Sequence, residues 1–421
     1  MEFSLEPKGR RFYYYFFVSD FHMLFNVVYI FFVIATIFYG NLAVVGGFLT
    51  LRHIATLLML ALCIKEEKKL ASDKYMNYYL LFIACFLVSS MVTGYLSDAI
   101  RFVLAFYFVC YVAYWSTKIM VQKTGNSNLL IYPLLVFGAI DAIVSINQVV
   151  GFTNIDRYIE LMKLSVNQNY LDRLSVSDDF MGISVPGIMD NAVFNGEFLM
   201  IVTILSLYLQ RKKTALIGGL LTIGLLAGSF YTQQRSPFFL ALAGCLFICY
   251  KVLYTRLSSM KKIFITLPLV IALLYFIGEF MDFVNTGSTR FVDTSMTGRE
   301  HIYDMAKDFI WNNLVFGGYY LFLDTTSRAP HNFFFNSFIY GGIVGGLSLI
   351  ALITFQVIKI FRIFFSKQLS LNTDTIIMGS AYIAIVANSM VHNAGIVVGS
   401  VLAWLVWGAF EATSNIKTFC K

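Results

Sequence analysis

Long apolar runs, separated by short polar segments, recur along almost the whole chain and limit its fold more than any other feature. Runs of about 17–25 residues, the length that crosses a bilayer as a helix, can be placed twelve times. Hydrophobic residues make up 58% of the 421 residues, more than a soluble protein of this size can bury. We therefore expect an all-α polytopic membrane protein with about 12 transmembrane helices. The runs centre on Ile30, Leu51, Phe86, Tyr107, Val136, Thr203, Leu220, Leu246, Ile271, Leu349, Ile385 and Leu402.

Two long polar intervals divide this membrane domain. The five parts are residues 1–150 with helices one to five, the first long interval 151–193, residues 194–281 with helices six to nine, the second long interval 282–332, and residues 333–421 with helices ten to twelve. Neither interval is rich in Pro, Gly or Ser, so we expect ordered loops with short amphipathic helices rather than linkers. All parts are expected to form one integrated membrane domain, whose first run is a retained span rather than a cleavable signal.

The basic residues predict how the chain lies across the bilayer. With the N-terminus inside, the inner segments carry 21 Lys and Arg and the outer segments carry eight. Because cytoplasmic loops hold the excess of basic residues, we expect both termini inside and both long intervals outside. The outer set contains six Arg and two Lys, against five Arg and 16 Lys inside. Since Arg grips phosphate through two parallel bonds, this bias favours an anionic outer ligand such as a lipid phosphate; chance variation in small numbers is the alternative.

The second long interval contains the strongest local pattern. Thr297-Gly298-Arg299-Glu300 has the form of a capping box at a helix start. The residues that follow at the spacing of one helix face are Ile302, Met305, Ala306, Phe309 and Ile310. This pattern predicts a short helix that can lie along the membrane surface with its apolar stripe in the bilayer boundary. We expect this interval to cap an active site.

His331 is the candidate catalytic residue. It stands where the interval meets the tenth apolar run, three residues after Arg328. Histidine changes charge near neutral pH, and a His base beside phosphate-neutralising Arg side chains can activate a hydroxyl and stabilise a pyrophosphate leaving group. A polar anchor at the membrane interface is the simpler alternative.

Three more Arg are candidate ligands of an anion. Arg299 would oppose the dipole at the start of its helix unless an anion lies nearby; a salt bridge to Asp304, or to a carboxylate in the other long interval, is the alternative. Arg235 lies in a tight outer turn before Pro237, a residue suited to the first turn of a helix. Arg173 lies in the first long interval, where a solvated ion pair with its neighbouring Asp is equally expected.

Other polar or small residues are interpreted mainly as structural. The glycines four apart, Gly341, Gly342, Gly345 and Gly346, predict close helix packing. Asp141 and Glu197 fall within apolar runs, where carboxylates are functional candidates; Asp141 could equally be a hydrogen-bonded group that faces Arg101. The six Cys form no C-x-x-C pair and His392 lies in a short turn, so neither indicates a metal site.

Four short motifs, in order along the chain, resemble the bacterial O-antigen ligase and polymerase superfamily. His331-Asn332, nine residues and then Gly342-Ile343-Val344-Gly345 resemble its HN-x9-GxxG signature. Gln234-Arg235-Ser236 resembles its SR turn, Thr297-Gly298-Arg299 its GR pair, and Gly317-Gly318 stands where members have G-x-G. The likeness covers about residues 170 to 360.

The resemblance implies a GT-C-like glycosyltransferase in the bacterial inner membrane, with its active site on the periplasmic side. Its donor would be an oligosaccharide on undecaprenyl pyrophosphate, with no metal, other cofactor or nucleic acid involved. Arg235 and Arg299 would hold the pyrophosphate, and His331 would act on the acceptor. Arg173, Arg328 and Asn332 are expected to bind substrate as well, and a chain-length regulator is an expected partner.

Polymerase and ligase would share this donor site, so their acceptors must distinguish them. The ligase acceptor, lipid A–core, is heavily phosphorylated, whereas the first long interval carries six acidic and three basic residues. Ligases often have an acidic residue after the His-Asn pair, where this chain has Phe333-Phe334-Phe335. Both features favour a polymerase. A flippase for the lipid-linked oligosaccharide is a second alternative, although its charges should line a central cavity between repeated halves. A structural assembly partner would not need the outer Arg bias.

Overall fold

The computed structural model describes residues 8–38, 43–45, 49–66, 74–150, 187–189, 192–211, 215–232, 234–252, 297–327, 329–366, 373–391, 397 and 399–415. Within these residues the fold is helical, apart from one short antiparallel pair formed by β1 (Ala43–Val45) and β2 (Leu49–Thr50). The helices are α1 (Lys8–Ile37), α2 (Leu51–Glu66), α3 (Lys74–Val92), α4 (Leu96–Phe102), α5 (Phe108–Thr124), α6 (Asn128–Val150), α7 (Ala192–Ser206), α8 (Ala215–Tyr231), α9 (Arg235–Val252), α10 (Thr297–Asn312), α11 (Tyr319–Thr326), α12 (Phe333–Phe364), α13 (Thr373–Ser389) and α14 (Val401–Asn415).

Several described helices have the length and composition of membrane spans. Four stretches qualify fully: Tyr75–Val92, Leu96–Thr124, Asn128–Gln148 and Phe333–Phe364. Shorter apolar helices occupy Met23–Ile37, Val193–Leu209 and Leu216–Tyr231. A π turn at Val103–Tyr107 joins α4 to α5, so these two form one continuous helix, Leu96–Thr124, which is one of the candidate spans. The predicted helical fold is confirmed, and the four long apolar helices are compatible with a membrane protein. The number of twelve spans and their orientation stay predictions.

Nine of the twelve predicted span centres fall inside described helices, and two mark helix starts instead. Leu51 is the first residue of α2, because the apolar residues before it form β1 and β2. His53 helps to hold this start, since its Nδ1 lies 2.8 Å from the Thr50 hydroxyl oxygen. Leu402 is the second residue of α14. Ile271, the remaining centre, lies outside the described residues.

The predicted close packing of the α12 glycines is confirmed against α3. A Cβ added at Gly345 would lie 2.8 Å from Cys85 Cβ, and one at Gly341 would lie 3.4 Å from the Phe82 ring. An aromatic cluster continues this contact, with Phe86 and Tyr340 ring centres 5.3 Å apart. Tyr319 of α11 stacks on Tyr340 at 3.9 Å. The two helices therefore pack through small residues on one side and aromatic rings on the other.

Gly342 differs from its neighbours because α12 is broken there. Its φ of 60° and ψ of −162° are outside the helical region, and a Cβ there would lie 2.2 Å from the Val315 carbonyl oxygen. The Ile343 N–H donates to the Leu314 carbonyl (2.8 Å), while the Ile339 carbonyl accepts from the Gly318 N–H (2.8 Å). The loop before α11 thus satisfies the two backbone groups that a regular helix would pair with each other. Such irregular backbone in a span is tolerated where protein satisfies it.

The amphipathic helix predicted after Thr297 is confirmed as α10, but its apolar stripe has a different partner. Ala306 is fully buried and forms a small cluster with Phe322 and Ile339, against which Phe309 packs. The stripe therefore covers α11 and α12 rather than lying in the bilayer boundary. An apolar face is equally satisfied by lipid or by protein, so its periodicity cannot select between them. Trp311, near the end of α10, does not belong to this packed stripe and is 77% exposed.

Candidate functional site

The turn that carries His331 is fixed from three directions. Asn332 is the N-cap of α12, with Oδ1 accepting from the N–H groups of Phe334 (2.9 Å) and Phe335 (3.3 Å). The Tyr303 hydroxyl of α10 donates to the His331 carbonyl oxygen (3.2 Å). Asn336 Nδ2 donates to the Pro330 carbonyl oxygen (2.8 Å). These bonds place the half-buried His331 at the start of α12, where the sequence predicted it.

The second predicted turn places Arg235 at the start of α9. Arg235 is the first residue of this helix and is half-buried, and Pro237 lies in its first turn as expected. The turn packs closely on α7, because a Cβ added at Gly196 would lie 2.9 Å from the Gln234 side chain. The neighbouring Ser236 hydroxyl donates to Asn388 Oδ1 (2.8 Å).

Both turns meet the same end of α13. Ser236 is bonded to Asn388, and Asn332 Nδ2 donates to the carbonyl oxygen of Met390, two residues further along (3.1 Å). The turns are 96 residues apart in the sequence (Arg235 to His331) but share this one support. We call this end of the bundle, defined by Ser236, Asn332, Asn388 and Ser400, the site end.

A buried carboxylate extends the site end. Glu197 of α7 is 1% exposed. Its Oε1 accepts from the Ser400 hydroxyl (2.7 Å) and its Oε2 from Asn388 Nδ2 (3.5 Å). A continuous set of bonds therefore runs from Ser236 beside Arg235, through Asn388, to Glu197 and Ser400. Both donors to the carboxylate, an amide and a hydroxyl, are neutral groups.

The other predicted ligands are not placed by the structure. Arg299 belongs to α10, whose start at Thr297 matches the predicted capping box, but its side chain lies outside the described residues. Arg173 and Arg328 lie outside them entirely, as does His392. Asp304, the alternative partner proposed for Arg299, pairs with Lys307 at 2.8 Å. The hydrogen bond from the Lys307 ammonium lowers the pKa of Asp304 below its ordinary value.

Asp141, the other candidate carboxylate, holds a loop. Its Oδ1 accepts from the Ile188 N–H (2.8 Å), and its helix α6 binds the same loop again where Gln148 Oε1 accepts from the Gly187 N–H (3.0 Å). Gly187 has a φ of 60°, and a Cβ there would lie 2.0 Å from Asp141 Oδ1. Arg101, the alternative neighbour, is exposed. Within the described part of the chain, no hydrogen bond reaches Asp141 Oδ2, which is buried.

Sequence reasoning missed Asn388 and Ser400 as members of this site. Both lie at ends of apolar helices, and an isolated Asn or Ser there carries no periodic or motif signal. Among the described residues, no group of three or more His, Cys, Asp or Glu side chains is arranged to hold a metal ion. The chain matches no protein-family model, and no curated protein or solved structure matches it.

Proposed function

We propose that this protein is a surface polysaccharide (O-antigen) polymerase. It transfers a glycan from undecaprenyl pyrophosphate to the end sugar of another lipid-linked repeat unit, at the periplasmic face of the bacterial inner membrane. One observation carries the proposal: the Arg235 turn and the His331 turn are bonded to the same end of α13, through Asn388 and Met390. A phosphate-binding cation and a base are needed together in this reaction, and their turns share one support.

Each residue has a defined role in the proposed reaction. His331 takes the proton of the acceptor hydroxyl, whose oxygen then bonds to the anomeric carbon of the donor sugar. The bond from that carbon to the phosphate oxygen breaks, and undecaprenyl pyrophosphate leaves. Arg235 and Arg299 neutralise the leaving group through bidentate bonds. Asn332 supports the reaction by holding the His331 turn, and Arg173 and Arg328 are proposed to bind the donor from the two long loops.

The residues expected around the acceptor favour a polymerase over a ligase. The first long loop, with six acidic and three basic residues, repels a heavily phosphorylated lipid A–core but accepts a neutral sugar chain. Phe334, at the start of α12 beside His331, is 45% exposed. It adds an apolar surface, rather than a charge, to the mouth of the proposed site.

The test is an elongation assay with purified protein in phospholipid nanodiscs. With undecaprenyl-pyrophosphate repeat units as sole substrate, we expect longer lipid-linked glycans, and the His331→Ala variant should lose about 10²-fold or more in rate. The His301→Ala variant is the matched control, since His301 is exposed on α10 and should keep full activity. Product formed only after lipid A–core is added would replace polymerase by ligase. Translocation of the substrate without any change in glycan length would replace both by a flippase.

A further inference from the structure

A cavity of about 260 Å³ opens between two groups of helices at the site end. One wall comes from the end of α1, the start of α2 and the π turn, through Thr36, Arg52 and Phe106. The facing wall comes from α7 and the start of α14, through Glu197 and Ser400. Glu197 thus belongs both to this cavity and to the bonds that reach Ser236. None of the roles given above to His331 or the Arg residues uses the cavity.

Arg52 is held at its wall by the π turn. Its Nη1 donates to the Ala105 carbonyl oxygen (3.4 Å), and its guanidinium lies 5.0 Å above the centre of the Phe106 ring. The Phe108 N–H donates to the carbonyl oxygen of Val103, five residues earlier, instead of four residues earlier as in an α-helix. π turns of this kind recur at functional sites. Arg52 therefore presents a fixed cation and N–H donors beside an aromatic face.

Glu197, on the facing wall, supplies a negative charge and hydrogen-bond acceptors. A carboxylate accepts at about four positions on its two oxygens, and the Ser400 and Asn388 bonds use two of them. Because Glu197 is 1% exposed, its remaining capacity can be reached only through the interior of the protein. A buried carboxylate held by neutral groups is a strong acceptor for hydroxyl donors.

The combined lining selects one class of ligand. A metal cation is opposed by Arg52, a bare phosphate by Glu197, and an acyl chain by both charges. A sugar ring matches all parts, because its hydroxyls both donate and accept while its C–H face packs on lining rings that are not buried, such as Phe106 and Phe194. The volume lies just below the range of about 300–1,000 Å³ for small-molecule pockets, which suits one ring rather than an oligosaccharide.

We propose that this cavity is a subsite for one sugar residue of the glycan, with Glu197 accepting from its hydroxyls and Arg52 donating to its oxygens. The substrate assignment rests on the proposed function, whereas the sugar-binding chemistry rests on the cavity itself. The sugar belongs either to the donor or to the acceptor, and kinetics can separate the two sources.

Direct binding tests the subsite without any turnover. Saturation-transfer NMR on full-length protein in nanodiscs would use methyl glycosides of hexoses, N-acetylhexosamines and 6-deoxyhexoses as probes. We expect at least one glycoside to bind the wild type and to lose its signal with Glu197→Gln and with Arg52→Gln. Asp141→Asn is the matched control, because Asp141 is as buried as Glu197 but does not line the cavity. Absence of binding to the wild type, or binding that survives in both cavity variants, would overturn the proposal.

Kinetics then identify the source of the sugar. The assay pairs lipid-linked donor with a lipid-free repeat-unit oligosaccharide as acceptor. A KM for the acceptor raised about tenfold or more in Glu197→Gln and Arg52→Gln assigns the sugar to the acceptor, and the same rise in the donor KM assigns it to the donor. An active enzyme whose two KM values are unchanged in both variants contradicts the subsite. Glycoside binding that depends on Glu197, in a protein that never elongates glycan, supports the subsite and removes the proposed polymerase function instead.

Discussion

Two buried glutamates lie at opposite ends of the same helix bundle, and their partners differ. Glu197, at the site end, accepts from the hydroxyl of Ser400 and the amide of Asn388 and lines a cavity. Glu411, eleven residues into α14, forms an ion pair with Lys359 at 2.8 Å and accepts from the Tyr114 hydroxyl at 3.1 Å. Both glutamate residues are at most 5% exposed. One is neutralised by a cation in contact, and the other is held by neutral donors.

The surroundings of the two residues show the same contrast. The Lys359 ammonium lies 5.8 Å from the centre of the Trp407 ring and 5.9 Å from that of Tyr75, so two aromatic rings flank the ion pair. This neutralised pair joins α12 to α14. Glu197 has acceptor capacity left and a cavity in front of it. We infer that the Glu411 end is built for stability and that the Glu197 end is built to bind a ligand.

The largest effect is expected from breaking the Glu411 pair. Glu411→Gln leaves Lys359 partly buried without its counter-charge, which should lower the free energy of unfolding by about 3 kcal/mol. This loss is at the low end of the range for removing one partner of a buried ion pair. The Lys359 side chain is 23% exposed, and its long stem can move the ammonium toward water. Thermal unfolding of the purified variants in detergent measures the loss.

Two comparison variants sharpen this prediction. Glu197→Gln should cost less than about 1 kcal/mol, since an amide oxygen still accepts from Ser400. The double variant Lys359→Met with Glu411→Leu should recover most of the stability lost in Glu411→Gln, because no unpaired charge remains. Equal destabilisation by Glu197→Gln and Glu411→Gln would remove the distinction between the two ends.

Much of this contrast could not be predicted from the sequence. Nine of the predicted apolar runs, the helix that begins at Thr297 and the helix start at Arg235 follow from local patterns of composition, capping and Pro placement, and the described helices match them. Asn388 reaches Glu197 across 191 residues, and Ser400 reaches it across 203. Such contacts depend on which helices become neighbours, and hydropathy carries no information on that choice. The sequence pattern predicts the apolar stripe of α10, but only the packing of Ala306 with Phe322 and Ile339 shows that this stripe faces protein.

The next effect concerns catalysis at the site end. Arg235→Lys keeps the charge but loses the planar fork, so we expect the elongation rate to fall on the order of 10²-fold. Arg299→Lys should behave in the same way if it grips the other side of the pyrophosphate. Arg362→Lys makes the same change on an exposed face near the opposite end of α12 and should leave the rate unaltered. Normal rates in the Arg235 and Arg299 variants, at normal membrane levels, would reduce both residues to general surface charges.

A smaller effect is expected from the break in α12. Gly342→Ala places a side chain at a φ and ψ that only glycine adopts freely, 2.2 Å from the Val315 carbonyl oxygen. We expect a loss of about 2 kcal/mol in the free energy of unfolding, together with increased proteolysis of the loop at residues 313–318. Gly341→Ala is the adjacent control, because its Cβ would have an ordinary contact of 3.4 Å with the Phe82 ring.

The Gly342 result also bears on how α12 separates the two ends. The break lies between the His331 turn at one end of this helix and Lys359 near the other. If Gly342→Ala removes elongation activity while the protein keeps its Glu411 pair and its fold, the break in α12 is needed for activity at the site end. If Gly341→Ala and Gly342→Ala destabilise equally, the special backbone at Gly342 has no role beyond helix packing.

The smallest effect is expected at an ion pair that belongs to neither end. Asp304 and Lys307 lie on the exposed face of α10, 69% and 56% exposed, and water screens their attraction. The bond from Lys307 lowers the pKa of Asp304 in the folded protein, so any stability from the pair is present above the unfolded-state pKa and is lost as pH falls through the folded-state value. Lys307→Ala should therefore leave thermal stability at neutral pH nearly unchanged and flatten only the acidic limb of its pH dependence. A loss at neutral pH as large as that of Glu411→Gln would mean that exposure does not separate structural from incidental ion pairs in this protein.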